Sequence, residues 1–143
     1  MYRIRDFIFK EVVSLNGKKL GFIGDILIDF DQKIVSGFDV ISNNILRKDL
    51  NVDVRDTLSF EPVLITSSFF RGERVKFNDI RAFDVVDRGG RIMGHLEDVV
   101  FYEKSFKIRA FILSRGFIYD IFRKRKLLPA QKLVLGEKSI LYI

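Results

Sequence analysis

The chain repeats itself. The separation that takes Gly17 to Gly90 also takes Gly21 to Gly94 and Asp25 to Asp98. The same register joins Asp6 to Asp79, Val12-Val13 to Val85-Val86, Phe38 to Phe111 and Ile45 to Ile118. Conservative pairs fill the gaps: Lys18/Arg91, Leu20/Met93, Ile23/Leu96, Ile26-Leu27/Val99-Val100 and Val35/Ile108. A fixed period of this length marks two copies of one supersecondary unit. The copies are residues 1–72 and 73–143, with the junction at Arg71-Gly72-Glu73.

Within each copy the local signals are those of strands and tight turns. Val12-Val13, Asn16-Gly17 and Leu20 to Ile28 form two β-prone runs around an Asn-Gly pair, which predicts a hairpin with a type I′ turn. Gly89-Gly90 stands at the same point of the second copy. The polar stretch Asp29-Phe30-Asp31-Gln32-Lys33 leads to a third strand at Ile34 to Ile41, matched by Glu103-Lys104-Ser105 and Lys107 to Leu113. Gly21 and Gly94 lie inside strand-like runs, where glycine marks a bulge or a close backbone approach. The stretch Leu46 to Leu58 also reads as strand. The expectation is an all-β fold made of a meander of short antiparallel strands, given twice.

Composition removes several chemistries. The 143 residues contain no cysteine and one histidine, so disulfides, thiolate nucleophiles and Cys-ligated zinc are excluded, and an enzyme is not expected. Charges interrupt the apolar run of the N-terminus, so no export signal is read there. Elsewhere the apolar runs are of strand length, well short of the ~20 residues of a spanning helix. Together these predict a soluble, cytoplasmic protein with no transmembrane segment and no cofactor.

The two cores, Val12-Val13 with Gly17-Lys18-Lys19-Leu20-Gly21-Phe22-Ile23-Gly24-Asp25-Ile26 and Val85-Val86 with Gly90-Arg91-Ile92-Met93-Gly94-His95-Leu96-Glu97-Asp98-Val99, each resemble a PRC-barrel domain. The second copy also resembles the closing segment of that family, with Leu128-Pro129-Ala130 to Leu135, Gly136-Glu137-Lys138 and Ile140 to Ile143. In the first copy, Phe60 to Ile65 stands for that last strand, with its register slipped and no Gly-acidic turn. The resemblance implies two tandem small antiparallel β-barrels related by a pseudo-two-fold duplication. The family also contains the cytoplasmic part of the reaction-centre H subunit, the C-terminal domain of the ribosome maturation factor RimM, and stand-alone bacterial proteins, some linked to sporulation. It is a binding and scaffolding family, which implies a non-enzymatic adaptor.

Individual polar residues suggest little chemistry. Asp25 and Asp98 match as paired carboxylates would, but capping of nearby backbone N–H groups is the simpler role. Asp29 and Asp31 lack the frame of a calcium loop. His95 corresponds to Phe22 and reads as an ordinary strand position, and Gly21-x-x-Gly24 lacks the following Lys-Ser/Thr of a phosphate loop.

Charge is distributed more tellingly, because the first copy is neutral and the second carries the whole +6. Arg123-Lys124-Arg125-Lys126 concentrates it beside an aromatic run that includes Tyr119 and Phe122. These six residues are the candidate partner-binding set. A protein partner is the favoured reading; RNA or the ribosome and an anionic membrane surface are the alternatives. A barrel of about 70 residues without disulfide or metal is also near the lower limit for one core, so the copies are expected to dock on each other as one rigid unit.

Overall fold

The computed structural model describes residues 1–44, 50–72, 74–116 and 125–143. The first copy contributes β1 (Tyr2–Arg3), β2 (Glu11–Ser14), β3 (Lys19–Asp29), β4 (Ile34–Ser42), β5 (Leu50–Asp53), β6 (Thr57–Ser59), β7 (Leu64–Thr66) and β8 (Phe70–Arg71). The second contributes the short helix α1 (Phe77–Arg81), then β9 (Asp84–Val86), β10 (Ile92–Phe101), β11 (Ile108–Ser114), β12 (Lys126–Pro129), β13 (Leu133–Leu135) and β14 (Ser139–Tyr142).

These strands form two sheets, ordered β6-β7-β2-β3-β4-β5-β8 and β12-β11-β10-β9-β14-β13, the latter with β1 added on β10. In the second sheet, β12 and β13 lie at opposite ends of the order. A single three-residue 3₁₀ turn, Ala130–Lys132, nevertheless joins them. At about 2 Å of rise per residue such a link spans only a few ångströms, so the sheet must curl until its ends approach. The 3₁₀ turn Val54–Asp56 imposes the same curl between β5 and β6. Each sheet is thus a small β-barrel.

Four details depart from the sequence reading. First, each barrel contains a parallel pair, β2 with β7 and β9 with β14, among otherwise antiparallel neighbours. The short strands β7 and β14 return beside β2 and β9 by running round the barrel, so they arrive in the same direction. Second, the hairpin turns are not type I′. Gly17 and Gly90 have φ of 81° and 80° while the residues before them do not have positive φ. The bonds Gly17 N–H to Ser14 O and Ser14 N–H to Lys18 O define a three-residue loop closed by a left-handed glycine. Third, the stretch Leu46 to Leu58, of which residues 46–49 lie outside the described residues, is broken by the Val54–Asp56 turn, and α1 is helical. Fourth, the strand expected over Phe60 to Ile65 is confined to Leu64–Thr66.

Gly21 and Gly94 meet the expectation. Their φ values are 150° and 143°, and a Cβ there would lie 2.0 Å from Ile41 O and 2.1 Å from Ser114 O. The register shifts beside both positions place a bulge in the long strand.

The chain forms two compact units whose limits differ from a cut at residues 71–73. The copy-one unit comprises Ile4–Ile28 and Val35–Phe77; the copy-two unit comprises Met1–Arg3, Asp29–Ile34 and Asn78–Ile143. In the copy-one unit Phe7 stacks on Phe38 at 4.8 Å, with Phe60 edge-on to Phe7. In the copy-two unit Phe30 stacks on Phe111 at 5.5 Å, and Tyr2, Phe101 and Phe106 form a second aromatic group. The leading strand of the first copy pairs with β10 through Tyr2↔Phe101 and Arg3↔Val100. The corresponding segment of the second copy, at Lys76, bridges to Leu27 on β3.

Candidate functional site

Of the six residues expected to bind a partner, Tyr119, Phe122, Arg123 and Lys124 lie outside the described residues. Arg125 precedes β12 and Lys126 opens it in the copy-two unit, and both are exposed. The Arg125 guanidinium is 3.0 Å from Glu97 Oε1 on β10, so part of its charge is already matched. Lys126 Nζ lies 5.9 Å from the centre of the Tyr142 ring, and Lys132 Nζ lies at the same distance. Both lysines are exposed, and a cation near an aromatic ring is attracted to its face.

The ladder also builds a feature absent from the sequence reading. Ile92 pairs with Val86, Val86 with Leu141, and Leu141 with Val134. One row therefore crosses four strands on the outer face of the barrel. Ile92 is 65% exposed, and Leu141 and Val134 are each 44% exposed. The corresponding row of the copy-one unit is Lys19, Val13, Ile65 and Ser59, polar at both ends. The same fold thus presents two outer faces of different chemistry, and only the second is aliphatic throughout. A contiguous exposed apolar patch is the usual mark of a contact surface. Alternation along each strand could not reveal the row, because it needs the cross-strand register and the parallel β9–β14 pairing.

The carboxylates act locally. Asp98 Oδ1 accepts the Val99 N–H at 2.8 Å, at the register shift of β10, and its Oδ2 receives Arg3 Nε at 2.7 Å. Asp25 Oδ1 accepts the Ile26 N–H at 2.8 Å in the same way. These caps serve the carboxylates' own strands, where the sequence suggested a neighbouring turn. Asp29 Oδ1 accepts the Gln32 N–H in its turn. His95 Nε2 is 3.0 Å from Asp84 Oδ1, its partner across the β9–β10 ladder. No group of three metal-ligating side chains occurs among the described residues.

Two groups carry shifted acidities. The Arg55 guanidinium, bonded to Asp53 at 3.0 and 2.8 Å, holds that buried carboxyl below its usual range. Burial lowers the pKa of Lys33, whose ammonium lies 3.9 Å from the Phe30 ring centre and donates to Phe30 O at 2.6 Å. Neither belongs to the aliphatic row. Among the described residues, no helix is long and apolar enough to cross a membrane.

The PRC-barrel domain family model matches the chain twice, over residues 1–65 and 72–142. No curated protein matches it.

Proposed function

The chain belongs to the PRC-barrel domain family, and from that premise we propose that it is a non-enzymatic adaptor that engages a protein partner through the outer face of the copy-two barrel. The observation that carries this reading is the Ile92–Val86–Leu141–Val134 row, which the copy-one barrel replaces with a row ending in Lys19 and Ser59. Burial of exposed aliphatic side chains contributes roughly 25 cal/mol per Å². Neither RNA phosphates nor lipid headgroups exploit such a row as fully as an apolar protein surface does. Arg125 is occupied by Glu97, which weakens the case for a phosphate grip at the described end of the basic cluster. The cytoplasm is the compartment of this reading, and a cysteine-free chain is compatible with it.

The test is capture of partners by the immobilised full chain from native lysate, beside an Ile92→Lys variant that installs the copy-one residue. A specific protein should be retained by the wild type and lost at least tenfold in the variant. The substitution is at an exposed position, so stability should change by no more than about 0.5 kcal/mol. Capture indifferent to Ile92→Lys would remove the row from the account. Retention of RNA alone, falling steeply with salt, or co-flotation with anionic vesicles alone would replace the protein partner with those alternatives.

A further inference from the structure

The repeat matches Tyr2 with Val75, Arg3 with Lys76, and Leu27 on β3 with Val100 on β10. In the copy-two unit Arg3 lies opposite Val100, and in the copy-one unit Lys76 lies opposite Leu27. There the Ile28 N–H also donates to Val75 O at 2.9 Å. One join is thus made twice, and each time the short leading segment comes from the other copy of the repeat.

In the copy-two unit this join is a built slot. The ring centre of Tyr2 is 5.8 Å from that of Phe101 and 6.1 Å from that of Phe106, both of them buried. Arg3 Nε and Nη2 converge on Asp98 Oδ2 at 2.7 and 2.5 Å, and Asp98 is only 8% exposed. A carboxylate so far from water loses heavily when its cation is removed, so the slot selects a basic residue that follows an aromatic one. The copy-one join is looser in this respect, with Lys76 Nζ 3.4 Å from Asp39 Oδ1.

We infer that the slot on β10 takes β1 from a second copy of this chain as well as from its own, so that two chains pair by exchanging their leading strands. The inference stands apart from the aliphatic row. The parts of the slot are the backbone of Val100 and Phe101, two rings and one carboxylate, and they meet the same atoms whichever chain supplies the segment. The boundary between the units falls after Arg3, and the 3₁₀ turn Ile4–Asp6 that follows is the hinge. Exchange of an identical element is a low-cost route to a closed two-fold dimer, because each contact given up within a chain is regained between chains. The short tether opposes it, since it holds the chain's own segment at an effective concentration on the order of millimolar. Exchange therefore grows as the chain itself approaches that concentration.

The test separates donor from acceptor in the full chain. Arg3→Glu places a second carboxylate beside Asp98 and spoils the donor, while its slot stays intact. Asp98→Asn removes the charge of the slot, keeps an oxygen for the Val99 N–H, and leaves the donor intact. Unlabelled Asp98→Asn is added to ¹⁵N-labelled Arg3→Glu. The amides of Val99, Val100, Phe101 and Phe106 should move back toward their wild-type positions, with sedimentation showing a one-to-one complex. Unlabelled Arg3→Glu should leave them where they are. A second measurement needs no variant: in wild-type chains mixed at about millimolar concentration, nuclear Overhauser contacts should run from the Tyr2 ring of unlabelled chains to the Val100 and Phe101 amides of labelled ones. Amides unmoved by Asp98→Asn, movement equally produced by Arg3→Glu, or no contacts between wild-type chains would overturn the inference. Equal restoration by an unrelated peptide carrying an aromatic–Arg pair would replace the second copy with a foreign segment.

Discussion

Asp53 shows how one residue makes the two copies energetically different while their folds agree. It caps the 3₁₀ turn after β5, accepting the Arg55 N–H at 2.8 Å, and it holds the Arg55 side chain as well. Pro129, its counterpart in the copy-two barrel, caps nothing with its side chain. Loss of a cap of this kind costs about 0.5–2 kcal/mol, so Asp53→Ala should lose about that much in urea unfolding at neutral pH. The acidity of the group gives the sign of the pH dependence. Its carboxyl titrates below its ordinary value of 3.8 because Arg55 stabilises the anion. Its contribution is therefore complete above that pH and fades as the pH falls through the lower value of the folded state. The gap between wild type and Asp53→Ala should narrow below pH 3.8. A constant gap down the acid limb would mean that packing, not charge, is what Asp53 supplies.

At the scale of elements, the glycines and the repeat were the legible part. Gly21 and Gly94 announced the bulges because a strand rarely carries glycine without a backbone reason, and the period announced that whatever formed once would form again. The parallel closure of each barrel was not legible, since β7 and β14 read locally like any other short strand and direction is set by the route round the barrel. The aliphatic row was hidden for the same reason: it is a property of register, and the copies slip by three positions between β4 and β5, from Phe38/Phe111 to Leu50/Lys126. The closeness of strands is likewise a local matter. A Cβ on Gly37 would lie 2.2 Å from Val52 O on β5, yet Ala110 occupies the same place beside β12. Gly37→Ala should therefore lose about 1–3 kcal/mol through overpacking. Ala110→Gly should lose about 0.5–1 kcal/mol, through backbone entropy. Equal losses at the two positions, measured by chemical denaturation, would show that β4–β5 and β11–β12 are spaced alike.

For the whole molecule, duplication explains the fold, and divergence between the copies explains the function proposed for it. The net charge and the aliphatic row fall in the second copy, while the copy-one barrel has a polar-ended row. The compact units do not coincide with the sequence copies, because the copy-two unit takes Met1–Arg3 and Asp29–Ile34 from the first half of the chain. Those borrowed residues supply the ring of Phe30 against Phe111, the Lys33 carbonyl to the Ile108 N–H at 2.7 Å, and Arg3 to Asp98. Without them a half-chain would leave Phe111 and Asp98 lacking partners that the intact protein provides. The most direct measurement is the amide spectrum of the fragment 73–143, alone and with the fragment 1–72 added. An interleaved duplication predicts poor dispersion for 73–143 alone and recovery of the intact pattern, including the signals of Val99, Ile108 and Phe111, when 1–72 is present. A dispersed spectrum of 73–143 alone, superimposable on that of the full chain, would contradict it.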